Sequence, residues 1–364
     1  MGVLIMDIRI HLVLILILII DLLVAFRKRN RKPLEYIFSK YNMFVIKPGK
    51  HSFDMSRVFY NLPGNEDIPV CFEICDDGYL DRVRNSELVL LGGSVAFGTG
   101  STGNEYNISG YLKNTYGWDV VNLAIPGFNI EQEVITIVKH LEAINPNRIA
   151  IFDGCNNLAL AMPFDYHNYY IGSDPLSFYS ELGYRTAVNQ HLSSLKDIKY
   201  HLKISAKEIF REDLIITPLY RFLSQVRLNR YGINKGGQPK ELEALIKIGV
   251  KNYLYWLGIL VDVCKSRNIE LYVFLQPYYM YGRPKGAANN SNFYQINEEF
   301  DKYMISGLGQ LHSELNNMEY IYYCPLFKNI ANESVDLFTD AVHLNNNGYQ
   351  LIAGIINEEL RREK

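Results

Sequence analysis

Short apolar runs alternate with helical stretches from residue 87 to the end of the chain. The runs lie at residues 88–91 (LVLL), 120–125 (VVNLAI), 148–152 (RIAIF), 270–275 (ELYVFL) and 320–323 (YIYY). Because they are short and apolar on both faces, we predict buried parallel strands. Helical periodicity occupies residues 104–116, 131–143, 241–266, 293–316 and 346–361. This alternation predicts a three-layer α/β/α sandwich around a flavodoxin-like parallel five-stranded sheet, with ligands at the carboxyl ends of its strands.

Two regions depart from this alternation. Residues 163–240 contain many tyrosines and several histidines but no clear buried strand, and we interpret them as an insertion or cap over the sheet. Residues 33–86 are rich in Pro, Gly, Asp and aromatic side chains and show no sustained helical period, which predicts short strands and turns. We therefore expect a basic linker and irregular extension at residues 27–86, followed by the main domain at residues 87–364.

The N-terminal segment at residues 8–26 is apolar except for Arg9, His11 and Asp21. Its length is close to that of a helix that crosses a bilayer, and residues 12–20 are apolar on all sides. We therefore predict a single transmembrane anchor rather than a core helix. Five cations follow at residues 27–32, so the positive-inside rule places the main domain in the cytoplasm, with an extracytoplasmic domain as the alternative. A cleaved signal peptide fits less well, because the positive cluster follows the apolar run.

Composition narrows the function classes. Lys and Arg number 37 against 39 Asp and Glu, the net charge is −2, and 48% of residues are hydrophobic. These values argue against a disordered chain and against a basic protein that binds nucleic acid. Five cysteines occur in the chain, Cys71, Cys75, Cys155, Cys264 and Cys324. Their number is odd and their spacing does not suit zinc, so we expect neither a disulfide framework nor a metal site. We also expect no cofactor.

Polar residues that suit acyl transfer lie at the ends of the predicted strands. Ser94 follows two glycines after the first strand, Gly127 follows the second, Asn156 follows the third, and Asp340 and His343 precede the last helix. A serine hydroxyl needs a base such as a neutral imidazole, and the imidazole needs a carboxylate on its other nitrogen. Backbone N–H groups at glycine turns and an Asn amide can stabilise the oxyanion.

The same residues resemble the conserved blocks of the SGNH or GDSL-type serine hydrolases. Residues 92–98 (GGSVAFG) are similar to the nucleophile block, with Gly-Gly-Ser where Gly-Asp-Ser is typical. Gly127 and Asn156 match the second-block glycine and the third-block asparagine, and residues 340–343 (DAVH) resemble the closing block. Asn157 stands where the family usually has Asp. The resemblance covers roughly residues 88–360, apart from the insertion.

The resemblance implies a role for each residue. Ser94 would be the nucleophile, His343 the general base and Asp340 the residue that orients it. The backbone N–H groups of Ser94 and Gly127, with the side chain of Asn156, would form the oxyanion hole. The implied activity is cleavage of an acyl ester, with an acetyl group on a carbohydrate or a lipid-linked glycan as the expected substrate.

Two other functions remain open at this point. Residues 98–103 (GTGSTG) match a Gly-x-Gly-x-x-Gly pattern, which occurs in dinucleotide-binding proteins. Here, however, the first glycine lies seven positions after the strand, and the second strand lacks the acid expected at its end. The second alternative is a non-catalytic glycan-binding or scaffolding protein with the same fold.

Overall fold

The computed structural model describes residues 34, 36–39, 43–54, 68–161, 239–279, 281, 298–326, 330 and 337–362. The chain divides into two units, and all of these residues belong to Pro33–Gly183 with Gly237–Lys364. The other unit, Met1–Lys32 with Tyr184–Gly236, lies outside the described residues. The predicted anchor at residues 8–26 also lies outside them, as does all of the predicted insertion except Pro239 and Lys240.

Two antiparallel strand pairs precede the core sheet. They are β1 (Tyr36–Ser39) with β2 (Met43–Ile46) and β3 (Gly49–Asp54) with β4 (Pro69–Ile74). The Phe72 ring on β4 lies 4.9 Å from the Phe97 ring, centroid to centroid, and both side chains are buried. Strand β4 therefore packs on the chain segment that follows Ser94.

The described helices and strands of the core follow in chain order. They are β5 (Leu88–Gly92), α1 (Ser94–Phe97), a 3-10 turn (Asn104–Tyr106), α2 (Ile108–Asn114), β6 (Val120–Asn122), α3 (Ile130–Ile144), β7 (Arg148–Asp153), α4 (Cys155–Ala161), α5 (Pro239–Arg267), β8 (Glu270–Leu275), α6 (Glu298–Asn316), β9 (Tyr322–Pro325) and α7 (Asn346–Arg361).

The core sheet has the order β6-β5-β7-β8-β9, and all four neighbouring pairs are parallel. The predicted parallel five-stranded sheet is thus confirmed. Every residue of β5 and β6 is buried, as the apolar runs predict. The chain runs from β5 to β6 on one side and then returns to β7 on the other. The crevice for a ligand therefore lies between the carboxyl ends of β5 and β7.

Helices form a layer on each face of the sheet. Helix α7 packs against α2, whereas α5 packs against α3, α4 and α6. Five buried side chains of α5 recur at spacings of three and four residues: Ile246, Val250, Tyr253, Leu257 and Leu260. Among the described residues, Leu242–Arg267 is the helix whose length and apolar composition would suffice to cross a membrane. Its regular buried face is typical of a core helix.

Strands β6 and β9 depart by two or three residues from their predicted bounds, and β5 and β7 each end one residue later than predicted. Strand β6 ends at Asn122, three residues early, where the Asn122 side chain accepts a hydrogen bond from the Ala124 N–H (2.9 Å). The N–H groups of Leu123 and Ile125 still donate to β5, so the chain continues alongside that strand. Strand β9 begins two residues late, at Tyr322. Tyr320 has a positive φ of 69° and is 68% exposed, which is incompatible with a buried strand.

The predicted helix at residues 104–116 is divided into two pieces. Asn107 has extended backbone geometry (φ −95°, ψ 178°) and separates the 3-10 turn from α2. Its side chain accepts a hydrogen bond from the Gly110 N–H (2.8 Å) and so caps α2.

Candidate active site

Ser94 lies at a sharp turn between β5 and α1. Strand β5 ends at Gly92, whose φ is +151°, and a Cβ atom there would lie 2.4 Å from the Phe152 carbonyl oxygen. Glycine is therefore required for the close approach of β5 to β7 at this point. Ser94 is the first residue of α1, which is only four residues long. The hydroxyl is consequently placed at the carboxyl end of β5, beside the crevice.

His343 and Asp340 share one loop before α7. Asp340 Oδ1 accepts hydrogen bonds from the N–H groups of Val342 (2.8 Å) and His343 (2.7 Å). Asp340 Oδ2 lies 2.5 Å from His343 Nδ1. A carboxylate at Nδ1 favours the tautomer with its hydrogen on that nitrogen, which leaves Nε2 as an acceptor. His343 Nε2 lies 2.7 Å from Ser94 Oγ. The three predicted residues thus form one continuous chain of hydrogen bonds.

The environment of Asp340 keeps its carboxylate ionised. Burial disfavours the charge, but the neighbouring His343 and the two backbone N–H donors outweigh it and lower the pKa of Asp340. The side chains of His343 and Asp340 are 17% and 22% exposed, so the pair is largely protected from solvent but a ligand can still reach it.

The predicted oxyanion residues lie beside Ser94. Asn156 is in the first turn of α4, at the carboxyl end of β7. Its Nδ2 donates to the Phe128 carbonyl oxygen (2.6 Å) and lies against Gly93, where a Cβ atom would be only 2.4 Å away. Gly127 precedes Phe128 in a turn and has a φ of +88°. The Asn156 amide is therefore in contact with residues adjacent to both Ser94 and Gly127.

Asn157 supports the loop that carries Gly127. Its Oδ1 accepts a hydrogen bond from the Ile130 N–H (3.1 Å), the first N–H of helix α3. The amide thus provides the acceptor oxygen that an aspartate would provide. The same end of α3 is held by a capping box between Asn129 and Gln132.

Sequence reasoning missed one backbone contact of the His343 loop. The Tyr279 N–H donates to the Ala341 carbonyl oxygen (2.8 Å), which joins the segment after β8 to that loop. No local signal marks this bond, because it joins two backbone groups that are distant in sequence.

The described residues contain no group of three or more His, Cys, Asp or Glu side chains that could hold a metal ion. The five cysteines are free thiols. The polar groups that meet in the crevice are instead a hydroxyl, an imidazole, a carboxylate and an amide.

No protein-family model and no curated protein sequence matches the chain. Among solved structures, the chain is similar to a GDSL-like lipase from Bacteroides thetaiotaomicron VPI-5482, with 10% identity and a TM-score of 0.37 over 75% of this chain and 86% of that one. It is also similar to an acetylxylan esterase from Geobacillus stearothermophilus, with 15% identity and a TM-score of 0.38 over 78% of this chain and 98% of that one. At these values, the fold assignment rests on the strand order and helical layers of the chain itself.

Proposed function

We propose that the chain is a serine hydrolase of the SGNH or GDSL type that cleaves an acyl ester. The observation that carries the proposal is the pair of hydrogen bonds that links Ser94 Oγ to His343 Nε2 and His343 Nδ1 to Asp340 Oδ2. These residues lie at the carboxyl end of a parallel sheet, where ligands of this architecture bind. This geometry suits a nucleophile, a base and the carboxylate that orients the base.

The proposed reaction has two steps. His343 Nε2 takes the proton from Ser94 Oγ as that oxygen attacks the ester carbonyl carbon. The backbone N–H groups of Ser94 and Gly127 and the second Nδ2 hydrogen of Asn156 would stabilise the oxyanion. His343 then gives its proton to the departing alcohol, which leaves an acyl group on Ser94. Water, activated by His343, attacks this acyl group and releases the acid and the free serine.

The substrate class we propose is an acetyl ester on a carbohydrate or a lipid-linked glycan. The predicted anchor at residues 8–26 would hold the site near a membrane, which favours a lipid-linked or polymeric acceptor over a free metabolite. The predicted insertion begins two residues after α4, the helix that contains Asn156, so we propose that it caps the site and governs access. A screen of acetylated glycans with the purified protein tests the substrate class.

We propose a single-pass anchor with the main domain in the cytoplasm, from the basic cluster at residues 27–32. Protease added to intact cells tests this topology. The main domain should resist digestion until the membrane is opened, whereas digestion from outside would support the extracytoplasmic alternative.

A fluorophosphonate probe, which labels activated serines, tests the enzymatic function. We expect labelling of the wild-type protein and none of Ser94→Ala. Ser266→Ala is a matched control, because Ser266 is exposed at the end of α5, and it should label like the wild type. Glycan binding without any labelling would instead favour the non-catalytic module.

A further inference from the structure

The glycine loop, residues 98–103, lies between the two segments that carry Ser94 and His343. It starts directly after α1, where the N–H groups of Gly98 (3.0 Å) and Thr99 (2.9 Å) both donate to the Ser94 carbonyl oxygen. The loop is therefore attached to the backbone of Ser94 itself. In the sequence, this segment matched a dinucleotide-binding pattern.

Backbone atoms of neighbouring segments fill the space beside two glycines of this loop. Gly100 has a φ of +101°, and a Cβ atom there would lie 2.3 Å from the carbonyl oxygen of Leu344, the residue after His343. A Cβ atom on Gly103 would lie 2.7 Å from the Cys71 carbonyl oxygen on β4. Backbone from two other segments thus occupies the space that a phosphate would need, which argues against dinucleotide binding.

Three side-chain hydrogen bonds join the loop to α7, which begins three residues after His343. Asn346 Oδ1 accepts from the Thr102 N–H, and Asn346 Nδ2 donates to Thr102 Oγ1, both at 3.0 Å. The buried Tyr349 hydroxyl donates to the Thr99 carbonyl oxygen at 2.7 Å. The loop is thus bound to Ser94 at one end and to the segment after His343 along its length.

We propose that the glycine loop is a positioning element that holds Ser94 and His343 at hydrogen-bonding distance, which rests on the hydrolase function proposed above. The two residues lie 249 positions apart and on different elements, so their spacing depends on contacts between those elements. An error of about 1 Å in such a spacing costs about a hundredfold in rate.

The test measures kcat and KM of the full chain, purified in detergent, with a small activated acetyl ester. Tyr349→Phe and Asn346→Ala should each lower kcat about 10- to 100-fold and leave KM within about twofold. In contrast to Asn346→Ala, Asn346→Asp should keep kcat within about threefold of the wild-type value, because its carboxylate can accept hydrogen bonds from both the N–H and the hydroxyl of Thr102. Gly100→Ala should lower kcat at least about a hundredfold, since the added methyl group would push the Leu344 backbone away from the glycine loop.

Tyr303→Phe is the matched control. Tyr303 is also buried, and its hydroxyl donates to the carbonyl oxygen of Leu158 (2.9 Å), away from the loop. It should lower the melting temperature about as much as Tyr349→Phe and leave kcat within about twofold. Equal kcat losses in both variants, or an unchanged kcat in folded Tyr349→Phe, would overturn the proposal.

A second readout does not depend on turnover. The ¹⁵N resonance of His343 Nε2 reports whether that nitrogen accepts a hydrogen bond from Ser94. In Tyr349→Phe it should shift towards its position in Ser94→Ala. If the wild type hydrolyses no ester but this shift occurs, the hydrolase function fails and the positioning role stands. If the wild type is active through Ser94 and the resonance does not move, the positioning role fails.

Discussion

The Asn157 side chain accepts a hydrogen bond from the Ile130 N–H at 3.1 Å and thereby joins the first turn of α4 to the start of α3, next to the turn that contains Gly127. Asn157 is only 4% exposed, so loss of its acceptor would leave a buried N–H group unpaired. The first of the two joined segments contains Asn156 and the second adjoins Gly127, the proposed oxyanion donors.

Substitutions at Asn157 separate the role of the acceptor oxygen from that of side-chain volume. Asn157→Leu should lower the free energy of unfolding by about 1–3 kcal/mol and also lower kcat. Asn157→Asp keeps an acceptor at a helix N-terminus and should retain kcat within about threefold. Thermal denaturation and ester hydrolysis measure the two effects. Wild-type stability and rate in Asn157→Leu would contradict the role given to this bond.

Asn156→Ala removes a proposed oxyanion donor without touching the nucleophile or the base. We expect kcat to fall about a hundredfold or more while KM changes little, because this contact strengthens mainly in the transition state. Steady-state kinetics with one small ester give both constants. A loss confined to KM would assign Asn156 to substrate binding instead.

Asp340→Asn tests the orientation of His343. An amide can donate to Nδ1 and so favour the tautomer in which Nε2 carries the hydrogen, which prevents His343 from accepting the Ser94 proton. We expect a loss in kcat on the order of ten-thousandfold with the fold retained, as checked by circular dichroism. A folded Asp340→Asn protein with wild-type kcat would remove Asp340 from the mechanism.

Two buried carboxyl groups predict a distinctive pH dependence of stability. Glu133 on α3 and Asp153 at the end of β7 are each 1% exposed, and their carboxyl groups lie close to each other, with the buried Tyr253 hydroxyl beside Asp153. Burial raises the pKa of Asp153 to about 6, and burial together with the nearby Asp153 raises the pKa of Glu133 well above its usual value. At a pH between the ordinary pKa of such a carboxyl group in the unfolded chain and its raised pKa in the folded protein, the native state binds more protons than the unfolded state.

The contribution of this pair to stability is therefore greatest at low pH. This contribution should decline as the pH rises from about 4 to 6, because Asp153 ionises, and it should decline further at the higher pH at which Glu133 ionises. Between pH 5 and pH 8, the melting temperature of the wild-type protein should fall more than that of Glu133→Gln, because the Gln side chain cannot ionise. Glu131→Gln, on the same helix but partly exposed, is the control and should follow the wild type. Equal slopes in the wild type and Glu133→Gln would contradict the account.

The sequence was most informative where one physical signal dominated. Strand β8 matches its predicted bounds, since five consecutive apolar residues, 271–275, can be buried on both faces of the sheet. Helix α7 also matches, because Asn345 caps it and its apolar residues recur with helical spacing. The four-residue helix α1 was missed, because so short a segment carries no periodicity.

The sequence also grouped Ser94, Asn156, Asp340 and His343 at one edge of the sheet, because parallel strands end on the same side. It could not reveal the contacts that fix their spacing. The hydrogen bonds from Asn157 to Ile130 and from Tyr349 to Thr99 join residues that only the tertiary structure brings together.

The kinetics of Ser94→Ala, His343→Ala and the double variant test the central claim most directly. Because the nucleophile and its base act as a unit, each single substitution should abolish nearly all turnover of an acyl ester, and the double variant should lose little more. All three proteins should remain folded, since both side chains lie at the carboxyl end of the parallel strands, outside the apolar core. A folded Ser94→Ala protein that hydrolyses the ester at the wild-type rate would contradict the account.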